Sequence, residues 1–161
     1  VSTLSWTIPP AVNQQVAAIQ EQSSLLLGKD ILFDGDYHVS SAGDYVLLEG
    51  LEALRAAIYR RLITRPGEYR ARPEYGVGLL SFVKKRRTLS SLDELRQRVI
   101  DQLSLDPRIN EVRDVVVETT QDGLKIAVVI EAAGETLKFK PFDFSERTLI
   151  GTIGGPEGVG G

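Results

Sequence analysis

Two pairs of carboxylates, Glu49 with Glu52 and Glu68 with Glu74, could each face one sugar linkage. A peptidoglycan hydrolase would need that arrangement, with a general acid and a second carboxylate across the scissile bond. The chain holds 22 acidic residues among 161, so such pairs arise by chance and neither stands out. His38 is the single histidine. It lies between Tyr37 and Val39 with no second histidine and no Glu at metal-ligand spacing, which favours a surface or structural role. Cysteine is absent, excluding disulfides, thiolate metal sites, redox pairs and a cysteine nucleophile. Gly76-x-Gly78 is too short for a dinucleotide fingerprint, and no Lys-Ser/Thr pair follows it. No catalytic, cofactor-binding or metal-ligating residue is assigned.

Charge carries more information. The net charge is -3, unlike that of a polycation built for nucleic acid. Yet residues 55–87 hold ten Lys and Arg against Glu68 and Glu74, a balance of +8, which leaves -11 on the remainder. A chain divided this way can stack on neighbours through complementary patches. Lys84, Lys85, Arg86 and Arg87 form the densest cluster. Without interleaved aromatics or a reading helix they point to a protein partner before nucleic acid. Arg65, Arg70 and Arg72 surround Glu68 and Glu74 and are expected to join them in a surface ion-pair network.

The elements that must position these groups follow from periodicity. Residues 5–28 carry a thin apolar stripe with Gln-rich flanks, which reads either as a helical arm that orders against something else or as a helix packed on its own domain. Ile31-Leu32-Phe33 and Tyr45 to Leu48 read as short strands joined by Gly/Asp turns. Leu51, Leu54, Ile58 and Leu62 define an amphipathic helix over 49–63, with Arg55, Arg60 and Arg61 mostly off its buried face. Thr64-Arg65-Pro66-Gly67 stops it. Residues 68–73 alternate as a short strand, and 74–80 form a glycine-rich loop. Ser91 and Glu94 have capping-box spacing ahead of a second helix on Leu92, Leu95, Val99 and Leu103, which ends at Pro107.

Residues 112–119 and 124–131 form a hairpin across Thr120-Gln121-Asp122-Gly123, whose Asp-Gly pair suits a tight turn. Leu124, Ile126, Val128 and Ile130 share one face of its second strand and Ala127 and Val129 the other, so cover is expected on both sides. A further strand is expected over 136–140, then a glycine-rich end. The fold class is α+β: two main amphipathic helices on a small, mostly antiparallel sheet with a C-terminal hairpin. The chain divides into an N-terminal helical arm (1–27), the α+β domain (28–131), and a C-terminal strand with a Gly-rich tail (132–161). No apolar run approaches the roughly 18 residues that a membrane-spanning helix requires.

The order of short motifs resembles the sheath-initiator proteins of contractile phage tails and related injection machines, the gene product 25-like or baseplate-W-like family. The resemblance covers about residues 28–131. It rests on Gly28-Lys29-Asp30-Ile31, Gly50-Leu51-Glu52-Ala53-Leu54, Thr64-Arg65-Pro66-Gly67-Glu68, Arg72-Pro73-Glu74-Tyr75-Gly76-Val77-Gly78-Leu79 and Asp106-Pro107-Arg108-Ile109. The last corresponds to the family's Glu-Pro-Arg motif, with Asp106 in place of Glu. The resemblance implies an architectural role for Pro66, Gly67, Glu68, Pro73, Glu74, Tyr75, Gly76, Gly78, Asp106, Pro107 and Arg108. It further implies a baseplate protein, present in six copies, that joins wedge proteins to the tail sheath, with the tail tube or hub as a further partner; synthesis in the cytoplasm is expected separately, from the lack of a membrane-length apolar run and of a signal-peptide pattern at the start. The hairpin, through Val115, Val117, Leu124, Ile126, Val128 and Ile130, would receive sheath strands by β-augmentation. No membrane, nucleic-acid or cofactor partner is implied; a tail-associated peptidoglycan hydrolase is the alternative.

Overall fold

A computed structural model of the chain describes residue 22 and residues 25–32, 37–84 and 88–145. Most of the expected N-terminal helix, Lys85 to Arg87 and the glycine-rich end lie outside the described residues. Leu25 to Leu27 are helical, and Leu27 is buried before Gly28 turns the chain at φ +79°. β1 (Lys29–Ile31) then pairs antiparallel with β2 (Leu47–Glu49), matching Lys29 to Glu49 and Ile31 to Leu47.

β2 runs directly into α1 (Gly50–Ile63). Its buried face is Ala53, Leu54, Ala57, Ile58, Arg61 and Leu62, so the stripe differs from the expected one at two positions. Leu51 is 44% exposed and Arg61 is buried. The cause is rotation along the helix: positions 54, 57, 58 and 61 share one face at a period of 3.6, which places Arg61 inward and Leu51 at the margin. Thr64 leaves the helix in an extended conformation directly before Arg65-Pro66, so the helix stops ahead of the residue that the proline bars from helical geometry.

Residues 68–73 form no strand. Pro66 and Gly67, the latter at φ +85°, start a series of turns closed by the Arg72 N–H to the Tyr69 carbonyl at 3.1 Å and the Gly67 N–H to the Pro73 carbonyl at 2.8 Å. Alternation misleads here because all six residues are exposed; there is no buried face for it to serve. A short helix, α2 (Leu79–Lys84), follows where a loop is expected, with Leu79, Phe82 and Val83 buried. α3 (Leu89–Ser104) begins a turn earlier than the Ser91/Glu94 box implies. Thr88 is the cap, accepting from the Ser91 amide at 3.2 Å, while the Ser91 hydroxyl accepts from the Thr88 amide at 3.0 Å. Ser91 therefore fills the inner position of the box, and Glu94 instead pairs with Arg98 at 3.5 Å.

β3 (Ile109–Thr119) and β4 (Gly123–Ala132) form the expected hairpin, with Val117 opposite Ile126 and irregularities near Ile109 and Val112. β5 (Glu135–Lys138) and β6 (Phe142–Ser145) both pair with the other edge of β4. Leu124, Ile126, Val128 and Ile130 of β4 are buried in one core with Leu54, Ile58 and Leu62 of α1, Leu95, Val99 and Leu103 of α3, and Phe142 and Phe144 of β6. The opposite face of β4, including Ala127 and Val129, is half-buried, so the cover expected on that side is not provided by the described residues. The molecule is α+β, with helices on one face of an antiparallel sheet.

Candidate functional site

Four of the five sequence motifs gather around the C-terminal ends of α1 and α3, while Gly50–Leu54 opens α1 and joins them through Gly28. Asp106 is at the centre, 4% exposed. Its Oδ1 accepts from Arg108 Nε at 2.9 Å and from the Arg108 amide at 3.1 Å, and its Oδ2 accepts from Arg108 Nη2 at 2.7 Å. Pro107 supplies the bend that turns Arg108 back on Asp106, so the pair forms across a two-residue step with the fork geometry that guanidinium and carboxylate favour. Arg61 adds a second cation, its Nη2 3.7 Å from Asp106 Oδ2, too long for a hydrogen bond but close enough for charge to count. Burial alone pushes the Asp106 carboxyl up; the side-chain and backbone hydrogen bonds from Arg108, with the charges of Arg108 and Arg61, outweigh it and hold the group below its ordinary range. The same hydrogen bonding, against burial, raises Arg108.

Each neighbouring motif is fastened to this cluster. Arg108 Nη1 donates to the Leu27 carbonyl at 3.3 Å, and the Gly50 amide donates to the Gly28 carbonyl at 3.1 Å. Asp30 pairs with Arg60. The Arg61 guanidinium lies 4.5 Å from the centre of the Tyr75 ring, a cation–π contact in a partly desolvated setting. Burial raises the Tyr75 phenol despite Arg61 and Arg60. The Gln102 side chain accepts from the Gly76 amide and donates to the Glu74 carbonyl, both at 2.8 Å. Val77 N–H donates to the Arg61 carbonyl at 2.9 Å and Gly78 N–H to the Thr64 carbonyl at 2.8 Å. That last contact explains Gly76. A Cβ there would lie 2.2 Å from the Thr64 carbonyl oxygen, at φ +104°, which is closer than any side chain permits.

The loop of residues 64–78 is therefore closed at its neck and held from below. Glu68 accepts from the Arg65 amide at 3.0 Å. Arg65, Arg70 and Arg72 form no ion pair among the described residues, so the expected charge network around Glu68 and Glu74 is absent. Glu68 and Glu74 are both exposed, and Glu49 is exposed and paired with Lys29 at 2.5 Å. Exposed carboxylates held this way lack the apolar setting that turns one member of a pair into a general acid. His38 is exposed, and no group of three or more potential metal ligands occurs among the described residues.

The hairpin residues are arranged differently from the motif residues. The side chains of Val115, Leu124, Ile126, Val128 and Ile130 face the core at 0–1% exposure, and Val117 is half-buried. What the hairpin presents outward is the backbone of β3, which ends the strand order and has no neighbour on its far side among the described residues. Arg96 Nε donates to the Val115 carbonyl at 2.8 Å. Val116, 43% exposed, is the outward apolar residue that sequence reasoning passed over. Lys84 is exposed at the end of α2, while Lys85, Arg86 and Arg87 lie outside the described residues. Sequence reasoning also missed Arg61 and Gln102. Arg61 was accessible through its place on the 54–57–58–61 face, but Gln102 left no signal, since its partners are backbone groups of a distant loop.

These features define a small α+β scaffold whose polar residues are spent on fastening loops to helix ends. A sequence profile described as "Contractile injection system sheath initiator" matches residues 29–136, well over half of the chain, and the chain belongs to that family. No curated protein matches it. A solved structure similar to this chain is a component of the "Cryo-EM structure of the anti-feeding prophage (AFP) baseplate, 6-fold symmetrised". The TM-score is 0.55 at 24% identity, over 68% of this chain and 90% of that one; at this identity the likeness is one of fold. No helix among the described residues is long and apolar enough to cross a membrane.

Proposed function

We propose that this protein joins baseplate wedge proteins to the first ring of tail sheath and starts sheath assembly by accepting sheath strands on the free edge of β3. The observation that carries this is the edge itself: β3 spans Ile109–Thr119 and has β4 on one side and no described strand on the other. Exposed edges are aggregation hazards unless they have a use, and a strand added there would gain main-chain hydrogen bonds without disturbing the core, displacing Arg96 from the Val115 carbonyl. Six copies per baseplate fit the six-fold symmetry named for the similar baseplate structure. The motif residues serve this role by holding the scaffold rigid, and the tail tube or hub is a further partner.

Consecutive amides of a strand point to opposite edges, so one of Val116→Pro and Val117→Pro removes a donor on the free side only. Proline is tolerated at such edge positions. That variant should retain its circular dichroism spectrum and enter baseplates, yet leave tail tubes bare of sheath in electron micrographs. Normally sheathed tails from both folded variants would sink the reading.

A further inference from the structure

We infer that the closed loop of residues 64–78 is a second docking surface, separate from the β3 edge, and that its partner is a carboxylate-rich segment of a neighbouring protein. Three observations support this. The loop ends are tied by the Gly78 N–H to the Thr64 carbonyl at 2.8 Å, and its interior is pinned by Gln102 and by Arg61. It has the form of a compact surface loop with adjoining ends. Its outer residues Arg65, Tyr69, Arg70 and Arg72 are all exposed, Tyr69 at 57%. The three guanidiniums have no ion-pair partner among the described residues, and Glu68, though exposed, accepts from the Arg65 amide.

Surface arginines normally find a carboxylate or lie over an aromatic ring, and other arginines of this chain do so: Arg60, Arg96, Arg98, Arg108 and Arg113 all have acidic partners. Three guanidinium forks on a loop whose backbone is already tied can meet bidentate carboxylates without backbone reordering, and only side-chain freedom is lost. Arg and Tyr are also the residues that dominate interface energetics. A polyphosphate suits the loop less well. The loop has one exposed aromatic, Tyr69, whose ring already meets Tyr75 edge-on at 5.6 Å, whereas single-strand binders interleave several aromatics with their cations.

The test uses the full chain and fluorescence anisotropy with three labelled probes: a peptide of alternating Glu and Ala, its Gln-for-Glu counterpart, and an oligothymidylate of equal charge. The acidic peptide should bind with affinity that falls as salt rises, and the Gln peptide should not bind. The combined variant Arg65→Gln, Arg70→Gln, Arg72→Gln should weaken acidic-peptide binding roughly tenfold or more, from three modest pairs acting together. The corresponding Lys variant should recover only part of it, since lysine keeps the charge and loses the fork. Lys138→Gln with Lys140→Gln should change nothing. Because the three side chains are exposed and form no ion pair among the described residues, the Gln variant should melt with the parent. Failure of the parent to bind the acidic peptide, equal loss in the Lys138/Lys140 control, or tighter arginine-dependent binding of oligothymidylate would each overturn the inference. None of these outcomes depends on sheath pairing at β3, so the two readings stand or fall separately.

Discussion

Asp106 is the buried carboxylate that holds Arg61 and Arg108 together at the ends of α1 and α3. Removing one partner of a buried pair leaves the other charge uncompensated, at a cost of about 3–5 kcal/mol, and Asp106 has two cations beside it. Asp106→Asn keeps the shape and removes the charge, so its destabilisation should lie near the lower end of that range. The pH dependence has a definite sign. The carboxyl is held below its ordinary value of 3.8 in the folded protein, so its contribution is complete above that value. It is lost as pH falls toward the depressed folded value, because the unfolded state takes up the proton first. Urea titrations from pH 6 to pH 2 should show parent stability falling most steeply below about pH 4, with a shallower fall in Asp106→Asn. Parallel curves would mean that the pair contributes nothing.

Glycines around the same loop separate backbone strain from steric exclusion. Gly67 has φ +85° with open space around its missing Cβ, whereas Gly76 has φ +104° and the Thr64 carbonyl at 2.2 Å. Gly67→Ala should cost about 1–2 kcal/mol, the ordinary penalty for a left-handed residue. Gly76→Ala must in addition push apart the backbone that closes the loop neck, and should exceed it by about 2 kcal/mol or more. Thermal melts of the two variants in parallel check the order; equal losses would mean that the neck is softer than its geometry implies.

At the scale of elements, Gly123 shows how a correct expectation can rest on the wrong cause. The Asp122-Gly123 pair led to the hairpin, on the reasoning that a tight turn needs a left-handed glycine. In the structure Gly123 is the first residue of β4 and does not have a positive φ. Its missing side chain instead admits β6: a Cβ there would meet the Phe144 carbonyl oxygen at 1.9 Å. Gly123→Ala should therefore detach β6 while leaving the β3–β4 pairing in place. Hydrogen exchange should accelerate at Phe142 and Phe144, which pair with Ile126 and Leu124, and stay slow at Val116 and Ala127, which pair across β3–β4. Uniform acceleration would show that β6 and the hairpin open as one unit. The other half of β6's anchorage is aromatic. Phe144 stacks on Tyr59 at 5.6 Å and Phe142 stacks on Phe144 at 6.3 Å, with the Arg55 guanidinium 4.2 Å from the Phe142 ring centre.

Across the whole molecule, the features legible in the sequence are those with a local physical cause. Apolar periodicity located α1, α3 and the hairpin, and proline clashes located where both helices stop. The short helix α2 escaped notice because six residues are too few to establish a period, and the strand expected over 68–73 was an alternation with no buried face behind it. The motif residues were identifiable only as a family pattern. Their common purpose, fastening three chain segments around Asp106, depends on long-range contacts such as Arg108 to Leu27 and Gln102 to Gly76. No local rule encodes contacts of that separation. Asp106 shows the one part that was local, since a carboxylate and a guanidinium flanking a proline can pair across the turn whatever else surrounds them.

β3 begins at Ile109, directly after Arg108, and runs eleven residues antiparallel to β4. Its lower end is thereby riveted to the Asp106 cluster and its length is bonded sideways to the strand that forms the centre of the core. Tension directed along β3 must load its lateral hydrogen bonds in shear, all at once, and cannot peel them one at a time as a pull across the sheet would. The hairpin is consequently built to withstand force along one axis, with Asp106 and Arg108 at the fixed end of the lever.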